Sequence, residues 1–294
     1  MQLKQLIDEL SPTRVEGRVD REISGIAYDS RRVTPGMVFV AIPGQNFDGH
    51  DFICAAIDRG ASAVICQQND FAPQRATKIK VSDVREALAR AAAAYYDHPS
   101  AKLKMIGVTG TNGKTTVAFM VKQILETAGI KCGLMGTVRY EIGERIIPAH
   151  RTTPEALEVH EMLTQMHRAG CQACVMEVSS HALDQKRVHG VEFDVAIFTN
   201  LTRDHLDYHG TMENYFQAKK ILFDSLVTSS KRGCAVINID DSYGEQLARS
   251  GAAEVHLTYG LAEAAKVRAT QIQLESNRTN MLVDTQGYQF SLQL

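Results

Sequence analysis

The sequence predicts an α/β protein: a small mixed α/β N-terminal domain, then a P-loop-type central domain with a mostly parallel sheet and a small antiparallel tail sheet. Apolar runs at 105–108, 173–178, 193–198 and 234–239 are continuous rather than alternating, as expected for parallel strands covered on both faces. Helical spacing lies between them, giving repeated strand–helix–strand units. A glycine-rich stretch at 107–116 occupies one strand-to-helix junction. The chain has 294 residues, 44% hydrophobic and 22% charged, which excludes a disordered or collagen-like polymer and suits two domains.

In chain order, 38–42 reads as a strand, 50–59 as a helix and 63–66 as a strand. An alanine-rich helix follows Ser82 and runs to Tyr96. It stops at Asp97-His98-Pro99-Ser100, because proline drives the residue before it out of the helical region. The stretch 98–103 is therefore the expected linker between a domain at 1–97 and one at 104–294. Across 114–128, Val117, Met120, Val121, Ile124, Leu125 and Ala128 follow helical spacing, and Gly129 suits a C-cap. The tail segments 266–274, 279–284 and 288–293 read as short antiparallel strands, with turns at Asn277-Arg278 and Gln286-Gly287. The sequence has no internal repeat or low-complexity tract.

With 32 basic against 34 acidic side chains, the net charge of −2 supplies no global field for nucleic acid or an acidic membrane, so an anionic ligand needs a local cradle. Neither class of partner is expected. No apolar run approaches the ~18 residues of a membrane span, and the acidic start is unlike a signal peptide, which points to the cytoplasm. Of six cysteines, Cys171 and Cys174 form a C-x-x-C that lacks a second ligand pair and runs into Val175-Met176. They read as buried strand thiols.

The cradle is Gly107-Val108-Thr109-Gly110-Thr111-Asn112-Gly113-Lys114-Thr115-Thr116. Glycines let successive N–H groups turn toward one anion, and the helix start adds partial positive charge. Lys114 can reach β/γ-phosphates and the Thr115 hydroxyl can ligate magnesium. The usual first glycine of such a loop falls on Val108, so this is a variant form. Gly110, Thr111, Asn112, Gly113, Lys114, Thr115 and Thr116 are the ATP-binding candidates.

The 109–116 stretch resembles the ATP loop of the Mur ligases, the ATP-dependent amide-forming enzymes of peptidoglycan precursor synthesis, and of their folylpolyglutamate synthase relatives. Asp29-Ser30-Arg31, Thr152-Thr153-Pro154, Met176-Glu177-Val178-Ser179-Ser180-His181 and Thr199-Asn200-Leu201-Thr202-Arg203-Asp204-His205-Leu206-Asp207-Tyr208-His209-Gly210 narrow this to one branch. That branch adds meso-diaminopimelate or L-lysine to UDP-N-acetylmuramoyl-L-alanyl-D-glutamate. The resemblance implies a monomer and a third, amino-acid-selecting domain, so the chain is expected to be an incomplete ligase that does not ligate alone. A folylpolyglutamate-type ligase would have no reason to carry the Asp29-Ser30-Arg31 domain. A binding remnant without activity is the other alternative.

The resemblance implies further roles. Phosphorylation of a carboxylate requires magnesium and cations at the γ-phosphoryl group. Thr115 and Glu177 are implied ligands of one magnesium, and His205 of a second. Lys219, rather than its neighbour Lys220, is implied to carry a carbamate that helps hold the second ion, and Lys114, His205 and Lys219 form the implied catalytic set. Taken singly, Glu177 and His205 read equally as structural hydrogen-bonding residues. Ser30, Gln45, Asn46 and Phe47 are implied for the uridine end of the substrate. Thr152, Thr153, Ser179, Gln185 and Arg187 are implied for its muramoyl-peptide end. Arg151 departs from the asparagine common in the family.

Overall fold

The computed structural model describes residues 1–44, 47–68, 75–251, 253, 255–285 and 287–293. The chain divides into two compact units. Met1–Pro99, Pro154–Gln165 and Gln185–Val191 form the first, and Ser100–Thr153, Met166–Asp184 and Glu192–Leu294 the second. Two segments of the 104–294 stretch thus group with the N-terminal unit.

The first unit contains α1 (Leu3–Leu10), β1 (Arg14–Glu16), β2 (Ile26–Ala27), β3 (Val38–Val40), α2 (Ile53–Asp58), β4 (Ala63–Cys66), β5 (Thr77–Lys80) and α3 (Val84–Tyr95). Its sheet runs β1-β5-β4-β3-β2, with β1 antiparallel to β5 and the other pairs parallel. A 3-10 turn, Gly49–Phe52, precedes α2, so the helix expected at 50–59 forms only in part. The Asp83 carboxylate caps α3 by accepting from the N–H groups of Arg85 (2.9 Å) and Glu86 (3.0 Å). Asp97 and His98 then take left-handed backbone angles (φ 58° and 46°) and end the chain's helical course before Pro99. Leu88, Ala91, Ala92, Ala156 and Leu157 share one core cluster, which is why the 154–165 segment belongs here.

The second unit begins with β6 (Lys104–Thr109), α4 (Lys114–Thr127), β7 (Cys132–Met135), β8 (Arg139–Ile142) and β9 (Arg145–Pro148). Helix α5 (Ala156–Arg168) contributes only its last turn to this unit. There follow β10 (Ala173–Glu177), α6 (Ser180–Asp184), β11 (Val195–Phe198), α7 (Leu206–His209), α8 (Met212–Thr228), β12 (Cys234–Asn238), α9 (Ser242–Arg249), β13 (Val255–Gly260), β14 (Val267–Leu274), β15 (Thr279–Thr285) and β16 (Tyr288–Gln293). The sheet order is β16-β15-β14-β13-β12-β11-β6-β10-β7-β8-β9. Pairs from β14 to β7 are parallel, and antiparallel pairs flank them on both sides. The strand expected at 193–198 starts at Val195, because Asp194 is drawn into side-chain bonding. Cys171 and Cys174 are free and buried, but only Cys174 lies in a strand, β10; Cys171 precedes it. No helix among the described residues is long and apolar enough to cross a membrane.

Lys231, just before β12, gathers the starts of β6 and β11. Its Nζ donates to the carbonyls of Ser100 (2.9 Å), Leu103 (2.8 Å) and Glu192 (3.2 Å) and to Asp194 Oδ2 (2.7 Å). Burial alone would raise the Asp194 pKa, but Lys231, the Met105 N–H and Lys104 outweigh it and hold the carboxyl below its usual value. Lys231→Met should therefore cost about 2 kcal/mol in urea unfolding at pH 7, less than a fully buried pair because both side chains keep nearly a fifth of their exposure (18% and 19%). A depressed carboxylate stabilises above its unfolded pKa of about 3.9 and loses that contribution as pH falls through its folded value. The gap between parent and variant should narrow below about pH 4.

Candidate functional site

Strand β6 lies between β10 and β11, with Val108 level with Glu177 and Thr109 level with Phe198, so three carboxyl strand ends converge. That is where open parallel sheets present ligand sites. From β6 the chain enters the glycine-rich loop. Gly110 (φ 147°) and Gly113 (φ 83°) lie in the left-handed region that side chains disfavour, and a Cβ on Gly110 would collide with Thr199 Oγ1.

The loop is clasped by the strap 199–202 that follows β11. Thr111 N donates to Asn200 O (2.8 Å) and Asn112 N to Asn200 Oδ1 (2.9 Å). Thr199 Oγ1 donates to Asn112 O (2.6 Å), and Thr202 N to Thr111 Oγ1 (3.0 Å). Lys114 opens α4 and turns its Nζ back over the loop, donating to Gly110 O (3.0 Å) and Thr111 O (2.8 Å). Burial lowers its pKa against the opposing charges of Glu177 and Asp204.

Glu177, fully buried at the end of β10, accepts at Oε2 from Thr115 Oγ1 (2.9 Å) and Thr137 Oγ1 (3.0 Å) and at Oε1 from Thr137 N (2.9 Å). The Thr115 and Glu177 oxygens stand 2.9 Å apart. Octahedral magnesium, with bonds near 2.1 Å, places adjacent oxygens about 3 Å apart, so the pair fits one edge of its shell. Among the described residues no group of three His, Cys, Asp or Glu converges, so the remaining positions would fall to water and phosphate oxygens, as magnesium commonly allows.

Lys219 and His205 meet around Tyr215. Lys219 Nζ donates to Gly110 O (2.9 Å) and lies 4.5 Å from the Tyr215 ring centroid, while the His205 ring stands 6.0 Å from it, edge on. Lys219 is only 2% exposed, a burial that cations seldom tolerate. Burial first, then the charge of Lys114, bring its ammonium down to about 7, with Asp204 opposing. Lys220, by contrast, pairs along the helix with Asp224. The Tyr215 hydroxyl is 3.2 Å from Thr111 Oγ1, and its ring stacks on His209.

Thr152, Thr153 and Ser179 gather beside Glu177. Thr153 Oγ1 donates to Glu177 O (2.8 Å) and accepts from Ser179 N (3.1 Å), and the Thr152 and Thr137 hydroxyls are 3.1 Å apart. In the first unit, Arg187 Nη2 donates to Gln185 Oε1 (2.6 Å) and Nε lies 3.1 Å from Glu155 Oε1. Ser30 begins a short 3-10 turn whose cap, Asp29, also holds Arg31. Phe47 is 74% exposed, and Gln45 and Asn46 lie outside the described residues. Arg151 meets the Tyr140 hydroxyl through its backbone carbonyl (2.5 Å). Thr137 and Asn200 are given no role by the sequence; Asn200, two residues past the end of β11, lies in the 199–210 block that carries the resemblance, whereas Thr137 carries no signal.

This fold and loop define an α/β protein of P-loop type. The chain belongs to the Mur ligase family: a family model described as the Mur ligase middle domain matches residues 108–294, and one described as the Mur ligase family catalytic domain matches 22–96. Among curated relatives, the UDP-N-acetylmuramoyl-L-alanyl-D-glutamate–2,6-diaminopimelate ligase of Clostridium tetani is 46% identical over 98% of this chain and 58% of its own length. That of Geobacter metallireducens is 45% identical over 92% of this chain and 54% of its own. A solved structure titled as the same ligase superposes with a TM-score of 0.84 at 27% identity, covering 99% of this chain and 59% of that one. The MurF ligase of Thermotoga maritima, solved with ADP, shares the fold alone (TM-score 0.59, 23% identity, 91% of this chain and 57% of that one). The chain thus spans between half and two thirds of the relatives it matches.

Glu177→Ala strands two hydroxyls and one N–H. It should lower unfolding stability by about 2 kcal/mol, limited by water reaching Thr137, as read by urea denaturation.

Proposed function

We propose that this chain serves an ATP-dependent amide ligase of peptidoglycan precursor synthesis, joining meso-diaminopimelate or L-lysine to UDP-N-acetylmuramoyl-L-alanyl-D-glutamate in the cytoplasm. The observation carrying this reading is the strapped loop with Lys114 and Thr115 at a helix start and the buried Glu177 carboxylate behind them. A substrate carboxylate oxygen attacks the γ-phosphorus of ATP and ADP leaves. The amine then attacks the acyl carbon, expelling phosphate and giving up a proton. The N–H groups at the start of α4 and Lys114 neutralise charge on the phosphates. Thr111 and Asn112 spend their own N–H groups on the strap, which holds the path of the loop, and Lys114 Nζ leaves the Gly110 and Thr111 carbonyls to reach a phosphate. Thr115 and Glu177 would hold one magnesium, with His205 and a Lys219 carbamate serving a second. Bound there, magnesium supplies charge neutralisation at the transferring phosphoryl group. The neutral amine is the form that takes up carbon dioxide, and a pKa near 7 leaves about half of Lys219 neutral at that pH. Thr152, Thr153, Ser179, Gln185 and Arg187 are assigned to the muramoyl-peptide end, and Ser30, Gln45, Asn46 and Phe47 to the uridine end.

Calorimetry tests the reading. A non-hydrolysable ATP analogue with magnesium and the UDP-linked dipeptide should each bind saturably, and Lys114→Met should weaken the first by at least about tenfold, the loss of a charge-assisted contact. Absence of nucleotide binding, or preference for a folate polyglutamate over the dipeptide, overturns it. With 13C-bicarbonate, a carbamate resonance should appear in the parent and vanish in Lys219→Arg.

A further inference from the structure

We propose that Asp241 is a positioning residue for the phosphate loop, acting through the strap 199–202; its functional side rests on the nucleotide-binding reading above. Asp241 divides its two carboxylate oxygens between two elements. Oδ1 caps α9, accepting from Tyr243 N (2.9 Å) and Gly244 N (3.2 Å). Oδ2 reaches across to the strap and accepts from Leu201 N (2.8 Å). A second anchor comes from the end of β12, where Asn238 Nδ2 donates to Thr199 O (2.8 Å).

The anchors alternate with the strap's contacts to the loop. Thr199 Oγ1 and both oxygens of Asn200 bind Thr111 and Asn112, while Asn238 and Asp241 grip the backbone on either side of Asn200. The path of the loop through Thr111 and Asn112 is thereby fixed by two residues that lie outside it. Helix α9 cannot drift from this arrangement: Gly244 has no side chain where Asn238 O lies, so the helix start sits directly on the strand end. A cap needs one acceptor, and serine supplies it as well as aspartate. Only a side chain with two acceptors and the longer reach of aspartate serves both elements.

Asp241→Ser and Asp241→Ala separate the two roles. If Asp241 only caps α9, serine behaves as the parent and alanine alone is impaired. On our assignment, serine keeps the Tyr243 and Gly244 amides protected, yet the Leu201 amide exchanges at least tenfold faster in native-state hydrogen exchange, as it does in the alanine variant. The ATP analogue should bind about tenfold more weakly to both variants, equivalent to ~1.4 kcal/mol. Unchanged Leu201 exchange with unchanged nucleotide affinity in Asp241→Ser overturns the proposal. Faster Leu201 exchange with unchanged affinity overturns the positioning role. A parent that binds no nucleotide overturns the proposed function instead, while the exchange data still judge the clamp.

Discussion

A buried carboxylate at the end of a parallel strand must be met by donors, and in the second unit this requirement organises the site. Glu177 draws in Thr115 from the start of α4 and both the amide and hydroxyl of Thr137 from the turn after β7. Even the backbone beside it is shaped by its presence, since a Cβ on Gly136 would run into Glu177 Oε1. The strand that ends in Glu177 is paired to the one that delivers the phosphate loop, so side-chain chemistry and sheet register specify the same arrangement. Agreement between levels of this kind is what makes a site precise rather than merely present.

Much of this was legible beforehand. Continuous apolar runs identified β6 and β10 because both their faces are covered, a pattern that needs no tertiary information. The run at β12 found the strand although only alternate residues of it are fully buried. The phosphate loop was legible because glycine, lysine and threonine are there for local reasons. The tail strands β14 to β16 were readable with the turn residues between them, whereas β13 was not read. Other parts were hidden by physics that a local window does not contain. The β7–β9 meander was missed: its three strands are four residues each, and β9 is a largely exposed edge. Strand β5 alternates Lys78 and Lys80 with Thr77 and Ile79, yet Lys78 is buried in the fold. Phe193 and Asp194 looked like strand until Lys231, distant in sequence, claimed the carboxylate.

The same contrast holds within the site. Family resemblance pointed to Lys219, but its depth and the ring beneath it come from a helix whose buried face carries Tyr215, Phe216, Ala218 and Leu222. Lysine on a helix is ordinarily a solvated residue, and only packing reveals this one as desolvated. Asp241 is a further case: its cap on α9 appears only in the structure, and the second allegiance of its carboxylate depends on a strand pairing forty residues away.

The interleaving of the two units bears on how the chain folds as it is made. The first unit borrows Ala156 and Leu157 for its core, so a ribosome that has released residues up to Pro99 has released an unfinished domain. Residues 100–153 must emerge before that core can close, and the closure spans a long loop whose entropic cost grows only slowly with length. The delay is thus a matter of time more than of free energy. It leaves a core cluster short of Ala156 and Leu157 during synthesis, the interval in which a chaperone that recognises exposed apolar surface would find it.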